Sequence, residues 1–208
     1  MTPVRIAVLV SGGGTNLQAL LDALRHSKTA RVTRVISSRA AAGALERARR
    51  ARVPTAVVRD PGDAAELLAT LDDADLVVLA GYLKLVPAAV VARFRCRMIN
   101  IHPALLPVFG GPGMYGRRVH EAVLASGARV SGATVHYVDE QYDRGPIIAQ
   151  AKVRVAADDT PDSLAARVLA AEHRLLVRVV KELVRRGLPG EPVRLPDLEG
   201  ENGAHQAG

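Results

Sequence analysis

Short apolar runs alternate with apolar positions at helical spacing over most of the chain. Val4 to Val10 (VRIAVLV) is nearly continuous in apolar character, which predicts a strand covered on both faces. It stops at Ser11-Gly12-Gly13-Gly14-Thr15-Asn16, after which Leu17, Leu20, Leu21 and Leu24 recur at helical spacing, with Thr15 or Asn16 as the cap. Arg31 to Ser37 predicts a second strand, Gly43 to Ala51 a helix, Thr55 to Val58 a third strand and Asp63 to Leu71 another helix. Asp75 to Ala80 (DLVVLA) reads as a buried strand, Gly81 to Val86 leads away from its end, Pro87 opens a helix, and Met98 to His102 is the next strand. Beyond a glycine-rich loop, Arg117 to Ala125 is helical and Gly127 ends it. Arg129 to Val138 alternates like a strand with one wet face, and Ile147 to Val155 is its antiparallel partner. Leu164, Val168, Leu169, Leu175, Leu176, Val179, Val180 and Leu183 then mark a long helix with basic residues on its outer face.

This alternation predicts an α/β fold: a Rossmann-like, mostly parallel sheet with helices on both faces and an antiparallel C-terminal strand pair. One domain is expected over residues 1–186. Residues 187–208 read as a C-terminal extension rich in Pro, Gly and acidic residues, largely disordered from about Glu199. Parallel sheets of this kind bind ligands at the carboxyl ends of their strands. Three such ends carry candidate chemistry: Gly12 to Asn16, Tyr82 to Val86, and Asn100 to His102.

The Met98 strand is the centre of interest. Period-two geometry sends Asn100 and His102 to the same side, and Pro103 then prevents the chain from continuing as a central strand. An uncharged amide donor beside an imidazole that titrates near neutrality suits a reaction that develops an oxyanion, which points to acyl transfer. The bland alternative is that both side chains satisfy turn backbone. The glycine turn ahead of the first helix has the layout of a phosphate cradle. It lacks the Walker lysine, and Leu17 stands where the dinucleotide motif needs its last glycine. A tight turn without a ligand is the alternative there. Val108 to Gly116 holds four glycines in nine residues and is expected to be a mobile loop beside the site. His136 is read as lining the site and His120 as a helix-face residue; neither makes a metal cluster with His102.

Composition narrows the partners. At 208 residues with 49% hydrophobic content, the chain can bury a core without staples. Its single cysteine, Cys96, excludes an internal disulfide and is expected as a buried small hydrophobe. No run reaches the roughly 20 apolar residues of a membrane span, and the N-terminus has no signal-peptide layout, so a cytoplasmic protein is expected. Twenty-eight Lys and Arg against 21 Asp and Glu give a net charge of +7, which either attracts anionic partners or reflects a GC-rich genome's arginine usage. The arginines are spread along helices and aromatics are 3%, so a small anionic substrate is favoured over nucleic acid.

Ser11-Gly12-Gly13-Gly14-Thr15-Asn16, Ala80-Gly81-Tyr82-Leu83, Asn100-Ile101-His102-Pro103-Ala104-Leu105-Leu106-Pro107, Gly132 to His136 and Asp143-Arg144-Gly145-Pro146 to Gln150 together resemble the glycinamide ribonucleotide formyltransferases of purine biosynthesis. The similarity runs from about residue 4 to residue 186. The resemblance implies formyl transfer from 10-formyltetrahydrofolate to the amine of glycinamide ribonucleotide, without a metal. It implies Asn100, His102 and Asp143 as the catalytic set, Asp143 keeping the imidazole cationic. It places the ribonucleotide on Gly14, Thr15, Asn16 and Leu17, with Glu172 at its glycinamide end and His173 structural. The folate would lie along Leu83, Lys84, Leu85 and Val86, and against Asp139, Glu140, Gln141, Tyr142 and Asp143, with Asn100 shared. Lys84 stands where relatives often have arginine, and Asp60 to Asp63 lacks an arginine that some relatives carry, for which Arg59 is a possible substitute. The Phe109 to Gly116 loop is longer than in many relatives. A monomer or homodimer is expected, with no nucleic-acid or membrane partner.

Two other members of the superfamily share the Asn, His and Asp arrangement: formyltetrahydrofolate hydrolases and methionyl-tRNA formyltransferases. Each is expected to carry a further domain, N-terminal in the first and C-terminal in the second, whereas the sheet here begins at Val4 and no foldable pattern follows Leu198. A catalytically silent nucleotide-binding module is the alternative of another class, and it would not need Asn100, His102 and Asp143 together.

Overall fold

A computed structural model describes residues 2–198. In chain order its elements are β1 (Val4–Val10), α1 (Thr15–Leu24), β2 (Ala30–Ser37), α2 (Gly43–Arg50), β3 (Thr55–Val57), α3 (Ala64–Thr70), β4 (Leu76–Leu79), α4 (Ala88–Arg93), β5 (Met98–His102), α5 (Arg117–Ala125), β6 (Val130–Tyr137), β7 (Ile147–Arg154) and α6 (Pro161–Arg185). The strands form one sheet in the order β3-β2-β1-β4-β5-β6-β7. The first five run parallel, while β6 is antiparallel to both β5 and β7.

Period two explains why the strands are apolar on both faces. Ile6, Val8 and Val10 of β1 join one core cluster with Leu17 and Leu20 of α1, Ala44 of α2 and the inner face of α6. Ala7 and Leu9 join the other, with Leu67 of α3, Val90 of α4 and Phe94 at its end. Helices therefore cover both sides, as the alternation predicts. Thr160 starts α6 with a reciprocal capping box to Ser163, and Pro161 occupies its first turn.

Two local expectations are corrected. The cap of α1 is neither Thr15 nor Asn16 but Gly14, whose left-handed backbone (φ 77°) turns the chain directly into the helix without a capping side chain. The strand β6 has no wet face: every residue after Val130 is buried. Ala133 and Val135 pack in the α6 cluster, and the polar Thr134 is paired instead of solvated. Its hydroxyl donates to Ala104 O (2.7 Å) and accepts from Leu106 N (3.1 Å), tying down the loop that follows β5. The extension expected from residue 187 is held to the sheet as far as Leu198. Leu195 N donates to Ile148 O (2.7 Å), Leu198 N donates to Gln150 O (2.8 Å), and Leu195 is buried in the core. This segment covers the outer edge of β7, which would otherwise present unpaired backbone groups. The tail expected to be disordered from Glu199 lies outside the described residues.

Candidate active site

The order of strands reverses between β1 and β4, and the turns leaving both strands meet there. Ser11 N donates to Gly81 O (3.0 Å), and Ser11 Oγ accepts from Leu83 N (3.0 Å) while sharing a 2.6 Å hydrogen bond with Ser38 Oγ. One small side chain thus fixes the glycine turn against the segment after β4. A side chain at Gly14 would need the left-handed backbone, and its Cβ would lie 2.6 Å from Ala44 Cβ. Glycine is required there to let α2 back the turn. The first N–H groups of α1 have no intrahelical acceptor, and the helix dipole favours negative charge beside them.

Next to this crevice, β5 carries Asn100 and His102 at its carboxyl end, and the turn after β6 returns Asp143 to them. Asp143 itself adopts a left-handed backbone (φ 56°), a conformation that aspartate tolerates better than most residues and that concentrates at functional sites. Its Oδ1 is 3.5 Å from His102 Nδ1, 3.5 Å from His136 Nε2 and 3.4 Å from Asn100 Nδ2, and its Oδ2 accepts from Gly111 N at 2.9 Å. The three residues expected to act together do meet.

The hydrogen bonds decide which ring nitrogens carry protons. His102 Nε2 lies 2.7 Å from Phe109 O, and a carbonyl only accepts, so Nε2 holds the hydrogen and Nδ1 is the open position of the neutral ring. In His136, Nδ1 is 2.7 Å from Tyr137 O, which makes Nδ1 the donor and leaves Nε2 to accept from Asn100 Nδ2 at 3.0 Å. His136 therefore fixes which way the Asn100 amide points. His136 lines the smaller hollow, as read from the sequence, but its bond to Asn100 depends on the pairing of β5 with β6 and has no local signal.

The charge states depart from one expectation. Burial pushes His102 below its ordinary value, and this outweighs the opposite pull of Asp143 and of the Phe109 carbonyl. Burial thus opposes the cationic ring that Asp143 alone would favour. For Asp143 burial acts upward, but its contacts with His136 and His102, which count when those rings carry a proton, and the Gly111 N–H outweigh it and hold the carboxyl below its usual range. Asp143 is thus an anion beside a ring whose Nδ1 can exchange a proton.

Two hollows join at this point. The larger, about 510 Å³, is lined by Asn16, Leu83, Asn100, His102, the 111–117 loop, His120, Asp143 and Glu172. The smaller, about 60 Å³, lies between Lys84, Leu85 and Val86 on one side and Asp139, Gln141 and Tyr142 on the other. Asn100, Tyr82, Tyr142 and Asp143 border both. Glu172 is buried, and its desolvation raises the carboxyl to about 7 against the opposing hydrogen bond from the Asn16 side chain. His120, expected on a helix face, is buried at the wall of the larger hollow. Its position follows from the turn of α5 onto α6, a tertiary contact with no local signal. Leu17 is fully buried in the core, so only its backbone is available to a ligand, and Glu140 is exposed and lines neither hollow.

Comparison with known proteins agrees with this geometry. A family model described as formyl transferase matches residues 4–180. The chain is 47% identical over 186 residues to the chloroplastic phosphoribosylglycinamide formyltransferase of Arabidopsis thaliana, covering 85% of this chain and 64% of that protein. It thus spans somewhat less than two thirds of the plant relative. It is 40% identical to the phosphoribosylglycinamide formyltransferase of Escherichia coli (strain K12), with 85% of each chain covered. Among solved structures, glycinamide ribonucleotide transformylase 1 from Symbiobacterium toebii superposes with a TM-score of 0.84 at 41% identity over 95% of both chains. The phosphoribosylglycinamide formyltransferase of Anaplasma phagocytophilum gives 0.83 at 36% identity over 95% of this chain and 99% of that one. With its sheet order, its crevice between β1 and β4 and more than four fifths of its length matched, the chain belongs to the formyl transferase family.

Proposed function

We propose that the protein transfers the formyl group of 10-formyltetrahydrofolate to the amine of glycinamide ribonucleotide in de novo purine biosynthesis. The observation that carries this reading is the meeting of Asn100, His102 and Asp143 at the junction of two hollows, one beside a helix-start glycine turn and one beside the Lys84 segment. In this reading the ribonucleotide phosphate takes the free backbone N–H groups at Gly14, Thr15, Asn16 and Leu17, and Glu172 accepts hydrogen bonds from the ribonucleotide. The folate lies along Leu83 to Val86 and the 139–143 turn, with Lys84 near its glutamate as a point charge and not as a bidentate fork.

The amine nitrogen attacks the formyl carbon, the carbonyl π pair moves to oxygen, and a tetrahedral oxyanion forms. Asn100 offers it an amide N–H, because the 3.4 Å bond to Asp143 is long and easily exchanged for an anion in the hollow. The neutral His102 takes the proton that the nitrogen must lose, at its open Nδ1. Asp143, 3.5 Å away, stabilises the imidazolium so formed. That proton then goes to the folate nitrogen as its bond to carbon breaks, which returns His102 to the neutral state.

The proposed location is the cytoplasm; among the described residues no helix is long and apolar enough to cross a membrane. The test is direct. Purified protein with formyltetrahydrofolate and glycinamide ribonucleotide should release deformylated folate, followed by absorbance, at a rate that water alone or charged initiator tRNA does not support. Release with water or tRNA, and not with the ribonucleotide, overturns the assignment in favour of a hydrolase or a tRNA enzyme.

A further inference from the structure

Gln150 of β7 borders neither hollow, yet it lies in the same row of the sheet as His102. The register pairs His102 of β5 with Thr134 of β6, and Thr134 with Gln150. Residues directly opposite each other on antiparallel strands project from the same face. A line of side chains therefore runs from the imidazole to the outer strand.

The outer two members of that line hold the loop leaving β5. Gln150 Nε2 donates to Leu106 O (3.1 Å) and to Thr134 Oγ1 (2.9 Å). A carbonyl only accepts, so it is the amide nitrogen that faces the loop. Thr134 Oγ1 in turn donates to Ala104 O (2.7 Å) and accepts from Leu106 N (3.1 Å). Both backbone polar groups of Leu106 are thus taken up by side chains, and its own side chain is buried. Beyond Leu106 the chain reaches Phe109, whose carbonyl meets His102 Nε2 at 2.7 Å. Val108 on the way is 74% exposed, so this stretch is steadied at its ends, by Leu106 on one side and by the Gly111 N–H on Asp143 on the other. Gln150 is itself held from outside the sheet: its N–H donates to Asp197 Oδ1 (2.8 Å), and its carbonyl accepts from Leu198 N (2.8 Å).

We propose that Gln150 is a positioning residue for the reaction: its amide anchors Leu106, and through it the Phe109 carbonyl that fixes the hydrogen of His102 on Nε2. The kinetic half of this inference rests on the proposed formyl transfer, whereas the half that concerns the ring does not. The hydrogen of the neutral imidazole has two places to go. Phe109 O draws it to Nε2 and leaves Nδ1 open, 3.5 Å from Asp143 Oδ1. With that carbonyl displaced, the Asp143 carboxylate draws the hydrogen to Nδ1 instead, which closes the nitrogen that takes the proton of the attacking amine.

The experiment compares the full chain with Gln150→Met, which keeps the length of the side chain and loses its donor. Nitrogen-15 spectra of the histidine rings, recorded above the titration of His102 and assigned by difference with His102→Ala, should show the hydrogen on Nε2 in the parent and displaced toward Nδ1 in the variant. The same variant should lose about ten- to a hundredfold in kcat with ribonucleotide and folate KM within about twofold of the parent, the size of loss that misplacing a reacting group produces. Ser163→Ala opens the capping box of α6 away from this row, so it should lower stability while leaving kcat and the ring hydrogen as they are. Gln150→Glu, equally long and without a donor when ionised, supplies the same readouts should the methionine variant not fold. A parent that transfers no formyl group overturns the proposed function and leaves the ring spectra to decide this inference. A hydrogen still fixed on Nε2 overturns it, and so does kcat left at the value of an active parent.

Discussion

Replacing Glu172 by glutamine tests whether the wall of the candidate site is held in an electrostatically unfavourable state. Glu172 is 7% exposed, and burial raises its carboxyl from an ordinary 4.5 to about 7. The unfolded chain ionises this group near the lower value and the folded chain near the upper one. Across that window the folded state therefore holds the extra proton, and the stability due to Glu172 falls as pH rises. From these two values, ionisation costs the fold about 2 kcal/mol at about pH 6 and about 3.4 kcal/mol at about pH 9, to order of magnitude. Glutamine keeps the shape and the hydrogen bonding with Asn16 but cannot ionise. The stability advantage of Glu172→Gln over the parent should thus grow by about 1.4 kcal/mol between those two pH values. Urea unfolding followed by far-ultraviolet circular dichroism at both pH values measures it. An advantage that stays flat or shrinks as pH rises would refute the argument that desolvation dominates this carboxyl.

His102→Ala should lower kcat by about 10²–10⁴-fold with little change in ribonucleotide KM, the range expected on losing a general acid–base group, and steady-state kinetics checks it. Asp143→Asn removes the charge that raises His102, so the imidazole should titrate even lower than in the parent, as read from its C2–H resonance by NMR; an upward shift would contradict the assignment. His136→Ala frees the Asn100 amide to rotate and should cut kcat by up to about 10²-fold at nearly constant KM, since misplacement alone costs that much. Gly14→Ala forces a left-handed alanine against Ala44 and should destabilise the fold by about 2 kcal/mol while raising ribonucleotide KM, measured by denaturation and kinetics.

What the sequence revealed depended on whether its signal was local. The strand β1 was legible because Ile6 to Val10 must be covered on both faces, and Asn100 and His102 because period two sends both side chains the same way. Other features depend on partners distant in the chain. Thr134 looks like a solvent-facing position of an alternating strand until the loop after β5 is in place to receive it, and the role of His136, legible as a site-lining residue, shows only with the Asn100 amide beside it. The attachment of Leu195 and Leu198 has no local signal, because the open edge of β7 supplies the hydrogen bonds that this Pro- and Gly-rich segment lacks on its own. The downward pull on His102 is illegible for a different reason: the charge of Asp143 is visible in the sequence, whereas the depth of burial that opposes it belongs to the folded molecule.

The Ser11 junction has a consequence for molecules that span both hollows. Because one hydroxyl holds the glycine turn to Leu83 and Ser38 at once, the two regions are set apart by backbone and not by a hinge. In the proposed reading, a compound tethering a sugar phosphate to a pteridine has to span a separation that these hydrogen-bonded turns help to set.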